Sequence, residues 1–157
     1  MARELDPGHD AHGRRFCLVA ARFNEAYVRR LVDAALEVLG RGGAAVADLE
    51  VWWVPGSFEL PLACRWAAES GRFDAVLALG VLIRGETEHF RLVAEATAHG
   101  LIRTALETSV PILNGVLAVG DAEQAAARTG GDRGNRGAEV ALAAIQMAGL
   151  AHARGRC

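Results

Sequence analysis

Residues 80–93 read GVLIRGETEHFRLV, and the fold turns on how that stretch, Gly80–Val93, is parsed. The apolar run Phe73–Ile83 leads into it and has the length and composition of a strand buried on both faces. Arg84-Gly85 breaks the run. Glu86-Thr87-Glu88 then supplies polar residues where a helix begins, and His89 falls in its first turn. The open N–H groups at a helix start bind anions, and a glycine lets a ligand approach the main chain. In open α/β sheets ligands sit beyond the carboxyl ends of the strands. A strand, a glycine turn, a hydroxyl and an imidazole in that order point to a phosphate-bearing substrate with proton transfer beside it.

The same alternation of strand and helix runs outward in both directions. Upstream, Arg15–Ala21 (RFCLVAA) is a short buried strand followed by Phe23 and Asn24. Asn24 is positioned to cap a helix whose apolar residues Val28, Leu31, Val32, Ala35, Leu36 and Leu39 recur at threes and fours, and Gly40–Gly43 ends it. Val46–Val54 (VADLEVWWV) is a second strand; Pro55-Gly56 stops it and Ser57 is placed to cap a helix that closes at Gly71, with Pro61 in its first turn. Downstream, the helix opened by His89 carries Phe90, Val93, Ala94, Ala98, Leu101, Ile102 and Leu106 on one side. Val110–Val116 (VPILNGV) is a fourth strand, in which Asn114-Gly115 marks a bulge or a close backbone approach to a ligand. Asp121 and Gln124 have capping-box spacing at the head of a short helix ending in Arg128. A glycine-rich break, TGGDRGNRG (Thr129–Gly137), precedes the final helix Ala138–Ala153. Four strands each followed by a helix predict an α/β fold with right-handed crossovers and a parallel four-stranded sheet covered on both faces.

A chain of 157 residues with 52% hydrophobic and 23% charged composition and a mean hydropathy of +0.17 predicts one globular domain, residues 14–157, behind a flexible or extended arm, residues 1–13. A net charge of −2 argues against nucleic acid as a partner, and no apolar run approaches the ~20 residues that span a bilayer. The opening MARELDPGHDAHGRR does not read as a signal peptide, and Cys17, Cys64 and Cys157 are too dispersed for a disulfide or metal framework, which makes the cytoplasm the expected compartment.

The chemistry-bearing residues fall beyond strand ends: Phe23-Asn24, Ser57–Glu59, Val81–His89 and Asn114. Phe23 is either a core residue or placed to stack on a flat ring. Glu59 is either a dipole-favoured surface acid or an acceptor for substrate hydroxyls. An imidazole titrates close to neutral pH, which suits His89 to shuttle protons. Arg128 suits a phosphate, but it lies beyond the following helix and needs another route to the site. Serine-hydrolase, Walker and dinucleotide motifs are missing from the sequence, as are paired metal-ligand motifs. The residues alone therefore reach a cofactor-free α/β enzyme or binder for a phosphorylated small molecule.

Arg22-Phe23-Asn24, VPGSFELP (Val54–Pro61), GVLIRGETEHF (Gly80–Phe90), EQAAAR (Glu123–Arg128) and GNRG (Gly134–Gly137) together resemble the 6,7-dimethyl-8-ribityllumazine synthase family of riboflavin biosynthesis, from about Phe16 to Leu150. The resemblance implies a flavodoxin-like three-layer α/β/α fold. It also implies a transferase that condenses 5-amino-6-(D-ribitylamino)uracil with 3,4-dihydroxy-2-butanone 4-phosphate, with no metal or organic cofactor. On this resemblance Phe23, beside Asn24, stacks on the pyrimidine, and Ser57, Phe58 and Glu59 hold the ribitylamino end. Val81, Leu82 and Ile83 offer main-chain groups to the uracil edge. Glu86 and Thr87 hold the phosphate with Arg128, and His89 transfers protons.

The family's sites lie between subunits of a pentamer, with Asn114 and Arg128 donated by the neighbour and the N-terminal arm added to the adjacent sheet. Its pentamers stay single, pair, or close into shells of sixty; riboflavin synthase is the implied protein partner, with neither nucleic acid nor membrane. The short link GGDRGN (Gly130–Asn135) resembles the shell-forming type, although Asp132-Arg133 departs from its usual lysine. Asn114 stands where many members carry an aromatic, and Arg136 where lysine is usual. A catalytically weak flavin- or lumazine-binding paralogue or shell protein is the alternative reading, and an unrelated phosphosugar isomerase a remote third.

Overall fold

The computed structural model describes residues 1–155. Its elements run β1 (Phe16–Ala21), α1 (Glu25–Arg41), β2 (Leu49–Val54), α2 (Leu60–Glu69), β3 (Ala75–Ile83), α3 (His89–Thr108), β4 (Ile112–Val119), α4 (Ala122–Arg128), β5 (Thr129–Gly131), β6 (Gly134–Asn135) and α5 (Arg136–Arg154). The first four strands form a wholly parallel sheet in the order β2-β1-β3-β4. β5 and β6 make a small antiparallel hairpin inside the glycine-rich break. The order reverses between β1 and β3, so the crevice beyond their carboxyl ends is where a parallel α/β sheet receives ligands.

Alternation along the strands divides the core in two. Phe16, Leu18 and Ala20 of β1 join Leu77, Leu79 and Val81 of β3 under α1, α4 and α5, through Val28, Leu31, Ala125, Val140 and Ile145. Cys17, Val19 and Ala21 join Val76 and Ala78 under α2 and α3, through Leu60, Ala63, Cys64 and Leu101. β1 and β3 are inner strands buried on both faces, which is why they read as unbroken apolar runs. This is the flavodoxin-like three-layer arrangement. Burial pushes the Cys17 thiol up to about 12 and the Cys64 thiol up as well. No helix among the described residues is long and apolar enough to cross a membrane.

Several elements depart from expectation. Val46–Asp48 forms a 3₁₀ turn, not the start of β2. β4 begins at Ile112 and runs to Val119, because it pairs with β3 along almost its whole length. That shift puts Asn114 opposite Ala78 in mid-strand, not at the carboxyl end. Gly115 is a close approach to the core, since a Cβ there would fall 2.6 Å from Leu79 Cδ2 and 2.9 Å from the Ala78 carbonyl. In α3 the buried residues are Thr97, Leu101 and Thr104, whereas Ile102 and Leu106 of the expected apolar face are exposed. α3 packs over α2 and the edge of the sheet and spends only a narrow stripe on the core. The segment expected to be an arm touches the body: the Ala11 N–H donates to the Gly42 carbonyl at 2.8 Å, Ala11 is fully buried, and a Cβ on Gly149 would fall 2.7 Å from Pro7 Cβ. Met1–Asp6 is exposed.

Candidate active site

Three strand-to-helix connections converge on one cavity of about 900 Å³ at the carboxyl edge of the sheet. The connection after β1 brings Phe23, that after β2 brings Pro55–Glu59, and that after β3 brings Leu82, Ile83, Gly85, Thr87 and His89. Phe23 and Phe58 leave the sheet as half-open aromatic surfaces, 66% and 65% exposed. Flat apolar faces flanked by an acid and an imidazole can hold a heterocycle with a polar chain.

Asn24 occupies the cap position of α1 but does not cap it. Its backbone is left-handed at φ 58°, ψ 40°, and its side chain makes no bond to the helix. Instead the Asn24 amide donates to the Val81 carbonyl at 2.7 Å, tying the end of β1 to the end of β3 across the switch point. The Val81 carbonyl is engaged by this bond, and of the expected 81–83 run only Leu82 and Ile83 line the cavity. Ser57 also departs from the capping expectation. It opens a single 3₁₀ turn, Ser57–Glu59, with no side-chain cap at its start, and its hydroxyl is buried without a partner among the described residues. What Ser57 offers the cavity is therefore backbone.

At α3 the Thr87 hydroxyl accepts from the His89 N–H at 3.3 Å, so the helix head is finished by the turn itself. His89 is the first helical residue and its ring is exposed to the cavity. Glu86 is exposed beside this turn without lining the cavity, and Glu88 pairs with Arg91 at 3.3 Å. One wall was missed in the sequence reading: Phe90, Leu92, Val93 and Ala96 also line the cavity. The signal was present, because His89, Val93 and Ala96 lie four and seven residues along one helical face. Gly56 was quoted only as a stop, yet a Cβ there would meet the Glu59 carboxylate at 3.2 Å.

Arg128, Arg136 and Asn114 are not in this cavity. Arg128 is exposed and lines a separate concavity of about 870 Å³ on α4 and the β5–β6 hairpin, together with Arg30 and Arg133. It makes no hydrogen bond or ion pair among the described residues. Arg136 and Asn114 come together elsewhere: the Arg136 guanidinium donates to the Asn114 carbonyl at 3.0 Å and to Glu139 at 3.0 Å. No cluster of metal-ligating side chains occurs among the described residues.

Residues 13–152 match the family model described as 6,7-dimethyl-8-ribityllumazine synthase. A protein of that name from Desulfotalea psychrophila is 45% identical over 153 residues, covering 98% of this chain and 99% of its own length. Another of that name from Halorhodospira halophila is 49% identical over 136 residues, covering 87% of each chain. With a parallel β2-β1-β3-β4 sheet, a cavity at its switch point and matches over nearly its full length, the chain belongs to the 6,7-dimethyl-8-ribityllumazine synthase family.

Proposed function

We propose that this chain condenses 5-amino-6-(D-ribitylamino)uracil with 3,4-dihydroxy-2-butanone 4-phosphate to give 6,7-dimethyl-8-ribityllumazine, phosphate and water. The observation that carries the reading is the single cavity lined by Phe23, Phe58, Glu59, Thr87 and His89 in a member of this family. Phe23 stacks on the pyrimidine, Ser57–Glu59 holds the ribitylamino end, and the main chain of Leu82 and Ile83 meets the uracil edge. Val81 contributes through its tie to Asn24. The phosphate sits at the head of α3, where open N–H groups of the 86–87 turn and the helix dipole favour an anion. His89 takes the proton as the amine attacks the ketone and returns one as phosphate leaves. Holding two small molecules in register supplies most of the acceleration, ~7–11 kcal/mol at the upper end, so one modest acid–base group suffices.

The phosphate needs a permanent cation, and the cavity's own lining includes no lysine or arginine. Arg128 is exposed and unpaired among the described residues, on a surface of its own. We read this as a site completed by a second copy that donates Arg128, Arg136 and Asn114, within rings of the pentameric type, with Met1–Asp6 extending to the neighbouring sheet. The exposed Leu92, Ile102 and Leu106 along α3 are apolar surface that such a ring would cover. The free, buried thiols of Cys17 and Cys64 are in keeping with a reducing compartment, the cytoplasm. Mixing both substrates with the purified protein and following the absorbance of the lumazine tests the activity. A rate no greater than that of the uncatalysed condensation overturns it.

A further inference from the structure

The Ser57–Glu59 turn is held from behind by a side chain that does not line the cavity. Thr97 stands in the middle of α3, 1% exposed, and its hydroxyl donates to the Ser57 carbonyl at 3.1 Å. A threonine inside a helix ordinarily bonds back to the carbonyl four residues earlier. The other two threonines of α3 do so: Thr104 donates to Gly100 at 2.9 Å and Thr108 to Thr104 at 2.7 Å. Of the three threonines, Thr97 alone reaches out to another element. The turn it reaches is otherwise held by its own backbone, with the Leu60 N–H donating to the Ser57 carbonyl and the Glu59 N–H to the Gly56 carbonyl at 3.2 Å. It is three residues long, its start has no side-chain cap, and the Ser57 hydroxyl is unpartnered. Behind Ser57, Gly80 leaves no slack, since a Cβ there would fall 2.7 Å from Ser57 Oγ. One helical turn past Thr97, Gly100 lets α3 close on the head of α2, where a Cβ would lie 2.7 Å from Pro61 Cβ and Cγ.

We propose that Thr97 is a positioning residue that sets the Ser57–Glu59 turn against α3, and so fixes where Phe58 and Glu59 meet the ribityl chain. The helix that carries His89 at its head thereby places the opposite wall of the cavity through a bond formed eight residues along. The proposal rests on reading that turn as the holder of the ribitylamino end. Truncating the hydroxyl leaves the buried Ser57 carbonyl with the Leu60 N–H alone as donor and removes the tie between the turn and α3, which weakens binding of the ribityl-bearing partner selectively.

The test compares Thr97→Val and Thr97→Ser with the wild type in steady-state kinetics, varying each substrate in turn. A fluorescence titration with 6,7-dimethyl-8-ribityllumazine accompanies it. The expected result for Thr97→Val is a rise of about five- to tenfold in KM for the pyrimidine and in Kd for the lumazine. KM for the butanone phosphate and kcat should stay within about twofold, and Thr97→Ser should restore both constants, because it keeps the donor. Unchanged constants, equal losses for both substrates, or a serine variant as poor as the valine one would overturn the proposal. If Thr97→Val does not fold by circular dichroism, Thr97→Ala takes its place, and failure of both to fold overturns the proposal in favour of a purely structural bond. Should the wild type bind the lumazine yet not turn over, the activity reading fails while the lumazine Kd of the variants still decides the role of Thr97. No lumazine binding by the wild type overturns both.

Discussion

Asn24 carries two burdens that can be separated by substitution. Its φ of 58° is costly for any residue with a Cβ, and its amide bond to Val81 repays that by joining β1 to β3 beside the cavity. Asn24→Gly relieves the backbone and loses only the bond, for an expected destabilisation of about 1 kcal/mol in urea unfolding. Asn24→Ala loses the same bond and leaves a less tolerant side chain at positive φ, so it should cost about 1 kcal/mol more than the glycine; equal losses would mean that alanine carries no strain there. The sequence marked Asn24 correctly as the residue between β1 and α1. The direction of its side chain was not legible, because it depends on a residue 57 positions away. Ser57 misled in the same manner: its type suits a cap, but the 3₁₀ turn carries its hydroxyl inward. The two core thiols make a pH prediction. The unfolded chain sheds thiol protons from about pH 8.5, whereas native Cys17 holds its proton to about 12 and burial raises Cys64 too. Above about pH 8.5 the native state then binds more protons than the unfolded one, so stability is flat below that pH and falls above it. The slope is about 1.4 kcal/mol per pH unit for each thiol, and Cys17→Ala with Cys64→Ala should flatten it.

At the scale of elements, helix packing on the α1–α5 side depends on one missing side chain. Gly137 in the first turn of α5 lies so close to α1 that a Cβ would fall 2.1 Å from the Leu31 carbonyl oxygen. Backbone cannot yield as a flexible side chain would, so Gly137→Ala should lower stability by about 3 kcal/mol or more, read as a large drop in Tm. Gly40, in the last turns of α1, has nothing within 4 Å of its would-be Cβ, and Gly40→Ala should be neutral or stabilising by about 0.5 kcal/mol. Order and type were legible for the four strands of the main sheet and the five α-helices, since each strand was punctuated by Gly, Pro or a capping residue before a helical stripe, whereas the β5–β6 hairpin read only as a glycine-rich break. The Asp121 cap held as read: its carboxylate accepts from the Gln124 N–H at 2.8 Å, and the Gln124 side chain accepts in return from the Gly120 N–H. α3 was read less well, because its apolar residues are more numerous than the narrow stripe that faces the core. Periodicity tells which residues share a face but not whether that face meets the same chain or another surface.

For the whole molecule, the open question is whether one chain makes a complete site. His89 and Phe23 share a cavity, whereas Arg128 lines a different concavity with Arg30 and Arg133. If rings of identical subunits form the sites, each crevice takes His89 from one copy and Arg128 from the next, which is a head-to-tail interface. His89→Ala and Arg128→Ala proteins made separately should then each turn over well below the wild type, because every crevice lacks one of the two groups. Co-expressed in equal amounts and mixing at random, the two chains give about a quarter of crevices with both groups intact, a quarter with neither and half with one. Co-expression should therefore recover about a quarter of wild-type kcat per site, while KM for the butanone phosphate in the recovered fraction stays at the wild-type value. The recovery must depend on co-assembly, so mixing the two purified proteins after their rings have closed should give much less. Activity of the co-expressed material no higher than the mean of the two single variants would mean that His89 and Arg128 do not act across a subunit boundary. The cation for the phosphate would then have to come from the same chain as His89.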